Sequence, residues 1–372
     1  NYSFFEEVPS FRNVGYPIAE IEADGSFTVS KHPGTGGLIS VGTITAQLLY
    51  EIKAPAYYNP DVIAHFDTMK IEQTGEDRVR VTGTRGSSPP PTHKVCVNSL
   101  GAHKQSFEVL LTGLDIEKKA EIYVDQIFNN LGGMEQFDDV DVQLIRSDKE
   151  NPETNEEAHA ALRITVTASD PTKLGRLMQA QITELALAAI PGNTGRGAAG
   201  YNGDRVIAYW PTVIDSKRVT ETVHFEGQSI DVLPTQRLGL EEMYYQKEPV
   251  SVAQAPSGDT TIIPFGRLYG TRSGDKGGAA NCGVWAKTDE AYSFLFEFLT
   301  IEKFKELAPD MAQYKIERFE MPNLRALNFY IHDVLGEGVS SNHRIDGQAK
   351  SLGEYLRAKH IEAPTILVDQ IQ

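Results

Sequence analysis

A glycine-rich run over residues 270–281 places the strongest constraint on this chain. It reads Gly-Thr-Arg-Ser-Gly-Asp-Lys-Gly-Gly-Ala-Ala-Asn and lies between two strand-like segments, Thr261–Leu268 and Cys282–Ala286. Glycine lets the backbone adopt positive φ and approach a ligand closely, and successive N–H groups in such a stretch can bind an anion. A solvated hairpin with ordinary turn residues is the simpler alternative. Because the run also carries Arg, Asp, Lys and Asn, we predict a ligand-binding loop.

Two further glycine-rich runs precede this one. Residues 32–37 read His-Pro-Gly-Thr-Gly-Gly and lead into Val41–Ile52, whose apolar residues recur at helical spacing. A loop that enters a helix directs backbone N–H groups and the positive helix end toward a ligand. We therefore predict that Thr35, Gly36 and Gly37 contact substrate. The other run covers residues 191–203 and contains Arg196, a second candidate for binding an anion.

The order of strand-like and helix-like segments predicts two domains of different class. Residues 1–245 alternate between the two kinds of segment, which is typical of an α/β domain. Within it, Asp170 followed by proline predicts the start of a helix that runs to Ile190. Residues 246–259 are predicted to be a linker, because Gln, Pro and Ser accumulate there. Residues 260–372 follow a ββαββα order, which predicts an α+β, ferredoxin-like domain.

Charge and cysteine content exclude several classes of partner. The chain has 35 Lys and Arg against 51 Asp and Glu, a net charge of −16 at pH 7. This charge argues against nucleic acid and anionic membranes as partners.

No apolar run reaches the length of a bilayer span and no signal peptide stands out, so a cytoplasmic location is the default. The two cysteines and nine histidines form no metal-binding spacing, so no metal site is predicted. The cofactor stays unknown, because the glycines at 34, 36 and 37 lack dinucleotide-binding spacing.

Side chains within the glycine-rich runs suit a small acyl or carboxylate substrate. Arg272 is a bidentate partner for carboxylate or phosphate, and Lys276 can neutralise developing charge. His32 and Asp275 are the candidates for general acid or base. We expect Ser273 to contact the substrate and Asn281 to orient its carbonyl group.

Each candidate has a structural alternative. His32 precedes a proline and can simply cap a loop, and Asp275 can pair with Lys276 on the surface, where such pairs contribute little. The spacing of Ser273 and Lys276 also permits a serine nucleophile activated by lysine. The other motifs of the penicillin-binding-protein class do not occur in the sequence, which argues against such a nucleophile.

Short motifs distributed along the chain carry a resemblance to a known family. They are Gly-Tyr-Pro-Ile-Ala-Glu at 15–20, Lys-His-Pro-Gly-Thr-Gly-Gly at 31–37, Gln-Leu-Leu-Tyr-Glu-Ile at 47–52, Arg-Ser-Gly-Asp-Lys-Gly at 272–277, Pro-Asn-Leu at 322–324, Leu-Asn-Phe at 327–329, and Arg-Ile-Asp-Gly at 344–347 with Lys350. Together they resemble the AtuA family of acyclic terpene utilisation proteins over essentially the whole chain. The resemblance implies an N-terminal AtuA-type α/β domain followed by a ferredoxin-like domain.

The same resemblance implies a role in the breakdown of acyclic terpenoids such as citronellol or geraniol, through CoA esters. Family members typically begin with a further α/β segment that carries its own glycine-rich stretch. We expect this chain to lack that segment, so that Asn1 is an internal starting point.

Two hypotheses about function follow. In the first, the protein is an enzyme of acyclic terpenoid or branched acyl degradation, a hydro-lyase or hydrolase that uses proton transfer for hydration, dehydration or hydrolysis. In the second, it is a non-catalytic scaffold or acyl-binding component of a pathway complex. Catalysis predicts that His32 and Arg272 meet in one pocket, whereas a scaffold predicts that they lie apart and face solvent. Exposed sheet edges also predict a homo-oligomer.

Overall fold

The computed structural model describes residues 2–196, 203–232 and 252–371. These residues form two compact units. The first unit comprises residues 1–97, 211–339 and 346–372, and the second comprises residues 98–210 and 340–345. The predicted division at residues 246–259 falls partly outside the described part of the chain and stays a prediction.

The described strands, in chain order, are β1 (Ile18–Ile21), β2 (Phe27–Ser30), β3 (Ala56–Tyr58), β4 (Ile63–His65), β5 (Lys70–Gly75), β6 (Arg78–Thr82), β7 (Arg85–Ser87), β8 (Thr92–Thr112), β9 (Asp139–Ile145), β10 (His159–Ala168), β11 (Asn193–Arg196), β12 (Asp204–Asp215), β13 (Glu221–Phe225), β14 (Gln228–Val232), β15 (Thr260–Pro264), β16 (Tyr269–Lys276), β17 (Ala279–Ala286), β18 (Ile316–Met321), β19 (Ala326–Ile331) and β20 (His360–Pro364). The described α-helices are α1 (Val41–Glu51), α2 (Ile116–Asn130), α3 (Arg176–Leu185), α4 (Phe265–Leu268), α5 (Asp289–Phe298), α6 (Ile301–Leu307), α7 (Leu352–Arg357) and α8 (Thr365–Asp369).

An antiparallel four-stranded sheet in the order β16-β17-β19-β18 forms the centre of the first unit. The strands and helices β16, β17, α5, α6, β18, β19 and α7 follow the predicted ββαββα order. One sheet face packs against these helices around a large apolar core that includes Phe265, Val284, Leu295 and Phe329. The order of element types is thus as predicted. The predicted strand over Thr261–Leu268 is wrong, however, because those residues form the end of β15 and the helix α4, and the first strand of this sheet is β16.

The glycine-rich run at 270–281 is mostly strand, which corrects the predicted loop. Residues 269–276 form β16 and pair with β17, and only Gly277 and Gly278 make the turn between them. A Cβ atom on Gly274 would lie 2.3 Å from the Tyr50 ring, and one on Gly283 would lie 2.6 Å from Leu49. These glycines are needed because a helix packs directly on the strands, and not because the backbone opens toward a ligand.

That helix is α1, which covers the second face of the sheet. It begins at a capping box formed by Ser40 and Thr43. Its buried side chains join those of the sheet in a second apolar core, which includes Leu49, Ile52, Trp285 and Met321. The prediction of a helix over Val41–Ile52 is confirmed to within one residue. The C-terminal sheet is thus a middle layer, with one of its two helical layers supplied by residues 41–51.

Antiparallel pairing dominates the first 97 residues, so the predicted α/β class of this region is not confirmed. Strands β1, β2, β6 and β5 form one antiparallel sheet, and β3, β4 and β7 form another. The alternating pattern of Arg78–Thr82, with Val79 and Val81 buried, fits a sheet with one covered face. The sequence indicated strands here but not their direction.

The second unit contains β9, β10, β11 and most of β8 and β12. These strands form a five-stranded sheet in the order β11-β8-β10-β9, with β12 paired to β8. Leu162, Ile164 and Val166 of β10 project from one face into a core with α2 and α3. The helix predicted from Asp170 to Ile190 is interrupted. Residues 171–173 form a 3-10 turn capped by Asp170, Gly175 adopts a φ of 66°, and α3 begins only at Arg176.

The other face of this sheet is polar and holds residues 340–345. The Lys104 ammonium donates hydrogen bonds to the carbonyl oxygens of Ser340 (2.6 Å) and Asn342 (3.0 Å). Arg163 donates to the carbonyl of His343, whose Nε2 lies 2.8 Å from the Thr167 hydroxyl. Because these partners are side chains of β8 and β10, the 340–345 segment is fixed to the sheet by polar contacts.

Two negative findings apply to residues 2–196, 203–232 and 252–371. No helix there combines the length and the apolar character that a membrane crossing requires. No group of three or more His, Cys, Asp or Glu side chains is placed to hold a metal ion.

We predict that Gly283→Ala destabilises the first unit by about 1–3 kcal/mol, because the new methyl group overpacks the interface with α1. The measurement is urea unfolding, read as the change in free energy of unfolding. Gly195→Ala is the matched control, since a Cβ atom there meets no atom of the described residues within 4 Å. Equal stability of the two variants would contradict the packing described for α1.

We predict that His343 makes the second unit less stable as the solution is acidified. Burial lowers the pKa of His343 below its usual 6.5, Lys104 and Arg163 act in the same direction, and Asp139 and Asp141 oppose them. The unfolded chain therefore binds a proton at His343 more readily than the folded chain does. The free energy of unfolding is thus highest above about pH 6.5 and falls as the pH decreases below that value. Thermal unfolding of His343→Gln between about pH 7.5 and pH 5.5 should show a smaller loss than wild type. His360→Gln, at an exposed position, is the control, and parallel pH profiles for wild type and His343→Gln would contradict the assignment.

Candidate functional site

Three cationic side chains surround the ring of Tyr50, in the last turn of α1. The Arg272 guanidinium carbon lies 4.2 Å from the ring centroid, the Lys276 ammonium 4.9 Å and the Lys350 ammonium 5.9 Å. Cations within about 6 Å of an aromatic face are attracted by its quadrupole. Lys276 also donates a hydrogen bond to the Tyr50 carbonyl. Residues from three separate parts of the chain therefore meet at one aromatic ring.

A cavity of about 390 Å³ opens beside Arg272. Strand β16 is an edge strand of its sheet, so residues from both of its faces reach the opening. The residues that line the cavity are Tyr2, Ser3, Phe5, Thr271, Arg272, Ser273, Lys350, Gly353 and Glu354. Two cations, three hydroxyl groups of Ser and Thr, and one carboxylate are thus presented to a single space.

Existing contacts already engage the carboxylate of this cavity. Glu354 accepts hydrogen bonds from the Ser3 hydroxyl (3.0 Å) and from Arg357 (2.7 Å). Since Arg357 offsets the charge of Glu354, the charges of Arg272 and Lys350 dominate the cavity. An anionic ligand is favoured there by Coulomb attraction.

Burial lowers the pKa of two of the three cations around Tyr50. It lowers the pKa of Arg272, opposed by Tyr50 and Glu51. It also lowers the pKa of Lys276, opposed by Glu51 and Asp275 and reinforced by Arg272. An arginine remains charged at neutral pH despite such a shift. A desolvated cation of this kind binds an anion more strongly than one in bulk water.

Ser273 and Lys276 point to opposite faces of β16, because side chains alternate along a strand. The Ser273 hydroxyl accepts a hydrogen bond from the Gly353 N–H at 2.9 Å, whereas Lys276 lies against Tyr50 on the α1 side. The pair therefore does not form the serine–lysine nucleophile that its spacing permits. Ser273 lines the cavity, and the half-buried Asp275 does not.

The loop at residues 32–37 is held by its own neighbours. The N–H groups of Gly36 and Gly37 donate to the carbonyls of Arg12 (3.1 Å) and Ser10 (2.7 Å). Lys31 donates to the carbonyls of Thr35 and Gly37 and pairs with Asp77 at 3.1 Å. The carbonyls of this loop thus converge on an ammonium group, which is the reverse of the predicted anion-binding arrangement of N–H groups.

His32 is exposed and is not among the residues that line the Arg272 cavity. Its carbonyl accepts a hydrogen bond from the Thr35 hydroxyl at 2.7 Å, which fits the alternative of a loop-capping residue. Arg196 ends strand β11, but its side chain lies outside the described part of the chain. Its predicted role in anion binding stays a prediction.

Asn281 is fully buried on β17 and faces α1. Its amide nitrogen donates to the carbonyls of Leu49 and Ile52, and Asn328 beside it donates to those of Ile52 and Lys53. The last carbonyl groups of a helix have no partners within the helix. The two asparagines supply those partners, so Asn281 orients backbone carbonyl groups of the protein. Asn281 is not among the residues that line the cavity.

Two family models match the chain. The model described as acyclic terpene utilisation family protein AtuA matches residues 1–225, which is more than half of the 372 residues. The chain belongs to the AtuA family. The model of the AtuA ferredoxin-like domain matches residues 263–362, the region that contains the β16-β17-β19-β18 sheet. No curated protein and no solved structure matches the chain.

AtuA membership indicates involvement in acyclic terpene utilisation. The two matched regions each contribute to the Arg272 cavity, since Tyr2, Ser3 and Phe5 lie in the first and Arg272 and Glu354 in the second. Sequence reasoning identified Arg272 and Ser273 but gave no role to Tyr50, Lys350 or Glu354. Tyr50 and Lys350 do lie within the AtuA motifs, and this position in a motif is the sequence signal that could have identified them as site residues.

We predict that Asn281→Ala in this AtuA protein lowers the free energy of unfolding by about 1–3 kcal/mol, because buried carbonyls lose their donor. Asn328→Ala should act in the same direction. Asn129→Ala, at an exposed helix end, should change stability by less than about 0.5 kcal/mol. Denaturant unfolding measures all three, and a stable Asn281→Ala variant would contradict the structural role.

Proposed function

We propose that the Arg272 cavity binds the anionic group of an acyl or carboxylate substrate during acyclic terpenoid or branched-chain acyl degradation. The supporting observation is the grouping of Arg272, Lys276 and Lys350 around Tyr50 beside a cavity lined by hydroxyl groups. Family membership supplies the metabolic context. The substrate is an acyl-CoA, whose phosphate groups carry the negative charge, or the corresponding free acid, whose carboxylate carries it.

In this proposal each side chain of the cavity has a separate role in binding the substrate. Arg272 donates two parallel hydrogen bonds to a carboxylate or phosphate, and its contact with the Tyr50 ring holds the guanidinium group beside the cavity. Lys350 adds a point charge to the lining of the cavity. Ser273, whose hydroxyl oxygen accepts from the Gly353 N–H, donates its hydroxyl hydrogen to a remaining oxygen. Ligand burial strengthens all of these contacts, because it excludes water from them.

Proton transfer for hydration, dehydration or hydrolysis is the catalytic form of the proposal. The acid or base that lines the cavity is Glu354, the third residue of α7, which accepts a hydrogen bond from Arg357. Asp275 and Lys276 are adjacent on β16 and remain candidates for a supporting role. In this form Glu354 or an activated water transfers the proton while Arg272 stabilises negative charge on the substrate oxygen.

Binding without chemistry is the second candidate function, and one observation favours it. The predicted catalytic residues His32, Asp275 and Lys276 are not among those that line the cavity. A protein that holds an acyl ligand for partners of a pathway complex needs the anion site alone. Assembly into a homo-oligomer, the exclusion of nucleic acid and a cytoplasmic location stay predictions of the sequence.

We predict that Arg272→Gln weakens the binding of citronellyl-CoA or citronellate by about 10- to 100-fold, since a hydrogen bond to a charged group contributes about 1.5–3 kcal/mol. Lys350→Gln should weaken it less. Isothermal titration calorimetry with citronellyl-CoA, isovaleryl-CoA, free CoA and citronellate distinguishes phosphate from carboxylate recognition. Arg85→Gln is the matched control, because it removes an exposed arginine outside the cavity.

Turnover then separates the two candidate functions. Loss of an enoyl-CoA, or release of the CoA thiol, in wild type but not in Glu354→Gln supports the catalytic form. Tight binding without turnover supports the binding form. If no acyl-CoA or carboxylate binds, or if Arg272→Gln binds as tightly as wild type, the proposal is wrong.

A further inference from the structure

A second and larger space lies in the first unit, away from the residues of the Arg272 cavity. It is a groove of about 960 Å³, within the size range of small-molecule sites. Its walls come from the segments 58–60, 90–95 and 211–221. The residues that line it are Tyr58, Asn59, Pro60, Pro90, Thr92, His93, Lys94, Val95, Pro211, Thr212, Val213, Ile214, Val219 and Glu221.

Apolar side chains form most of this groove. Tyr58, Val213 and Val219 are exposed by 65%, 64% and 42%, so covering them releases water from apolar surface. Pro60, Pro90 and Pro211 present apolar rings, and their backbone nitrogens carry no N–H to satisfy. A hydrocarbon chain can therefore cover these three prolines without removing a backbone N–H group from its hydrogen bonds to water.

Hydrogen bonds within the walls hold the groove open in its present shape. The Ser216 N–H donates to the carbonyl of Pro91 at 3.1 Å, which ties the 211–221 segment to the 90–95 segment. The Asn59 N–H donates to the carbonyl of Val62 at 2.9 Å and fixes the turn beside Tyr58. In a preformed site of this kind, little free energy is lost to the ordering of side chains and loops when a ligand binds.

Its polar groups carry balanced charge, unlike those of the Arg272 cavity. Nε2 of His93 lies 3.7 Å from a Glu221 carboxylate oxygen, and the His93 side chain is only 13% exposed. Lys94 lines the groove with a positive charge and Glu221 with a negative one. Because the charges offset each other, neither an anionic nor a cationic end group is favoured over an uncharged one. The imidazole can donate or accept a hydrogen bond, according to its tautomer.

We propose that this groove binds an uncharged molecule with a hydrocarbon chain and one hydroxyl or carbonyl end group, which hydrogen-bonds to His93 beside Glu221. The site shares no residue with the Arg272 cavity and does not depend on the function proposed for it. The protein thus has one site for an anion and a separate site for a neutral chain.

The test is a fluorescence displacement assay with the neutral probe N-phenyl-1-naphthylamine. Citronellol and 1-decanol should displace the probe at least tenfold more effectively than citronellate. Ile214→Asp should reduce probe and citronellol binding at least tenfold, because it places a carboxylate among the apolar side chains. Val223→Asp is the matched control, since Val223 is exposed on the next strand and does not line the groove.

A milder variant tests the end-group contact. His93→Gln should weaken citronellol binding several-fold and leave binding of the probe, which has no hydroxyl group, unchanged. Thermal unfolding of each variant checks that it is folded, and unchanged binding of citronellyl-CoA by Ile214→Asp shows that the Arg272 cavity is separate. Equal binding by Ile214→Asp and wild type, or stronger displacement by citronellate than by citronellol, would overturn the proposal.

Discussion

The packing of α1 on the C-terminal sheet is the contact on which the candidate site depends. Gly274 and Gly283 leave room for Tyr50 and Leu49, and the buried amides of Asn281 and Asn328 bind the carbonyls at the end of the helix. A carbonyl left without a donor in this interface would carry a full desolvation cost. The register of the helix is therefore fixed, and Tyr50 is held where Arg272 and Lys276 reach its ring.

One unit of the protein contains two spaces of opposite chemical character. The Arg272 cavity is small, polar and positively charged, whereas the groove beside His93 is large, apolar and balanced in charge. Such a division suits a protein that handles molecules with a hydrocarbon chain in either a neutral or an anionic form. Acyclic terpene utilisation is the context that the AtuA family gives.

Local sequence patterns predicted much of the C-terminal fold and one part of the site. The apolar spacing of Val41–Ile52 predicted α1 to within one residue, because it reflects the periodicity of a single helix. The ββαββα order of element types also holds, although its first strand is β16 and not the predicted Thr261–Leu268. Arg272 and Ser273 were found from residue type alone and do line the cavity. The glycine-rich run was misread, since a glycine that accommodates a packed helix and one that opens toward a ligand look the same in sequence.

By itself, the sequence determined the helix α1, the negative net charge and the family motifs, because each depends on local pattern or composition. Only the tertiary structure decided which residues meet. Ser3, Tyr50, Arg272 and Glu354 are separated by long stretches of chain and come together through the packing of α1 and of the first residues on the sheet. The groove at His93 likewise joins segments more than a hundred residues apart. Such contacts depend on the direction and pairing of strands, which no local periodicity encodes.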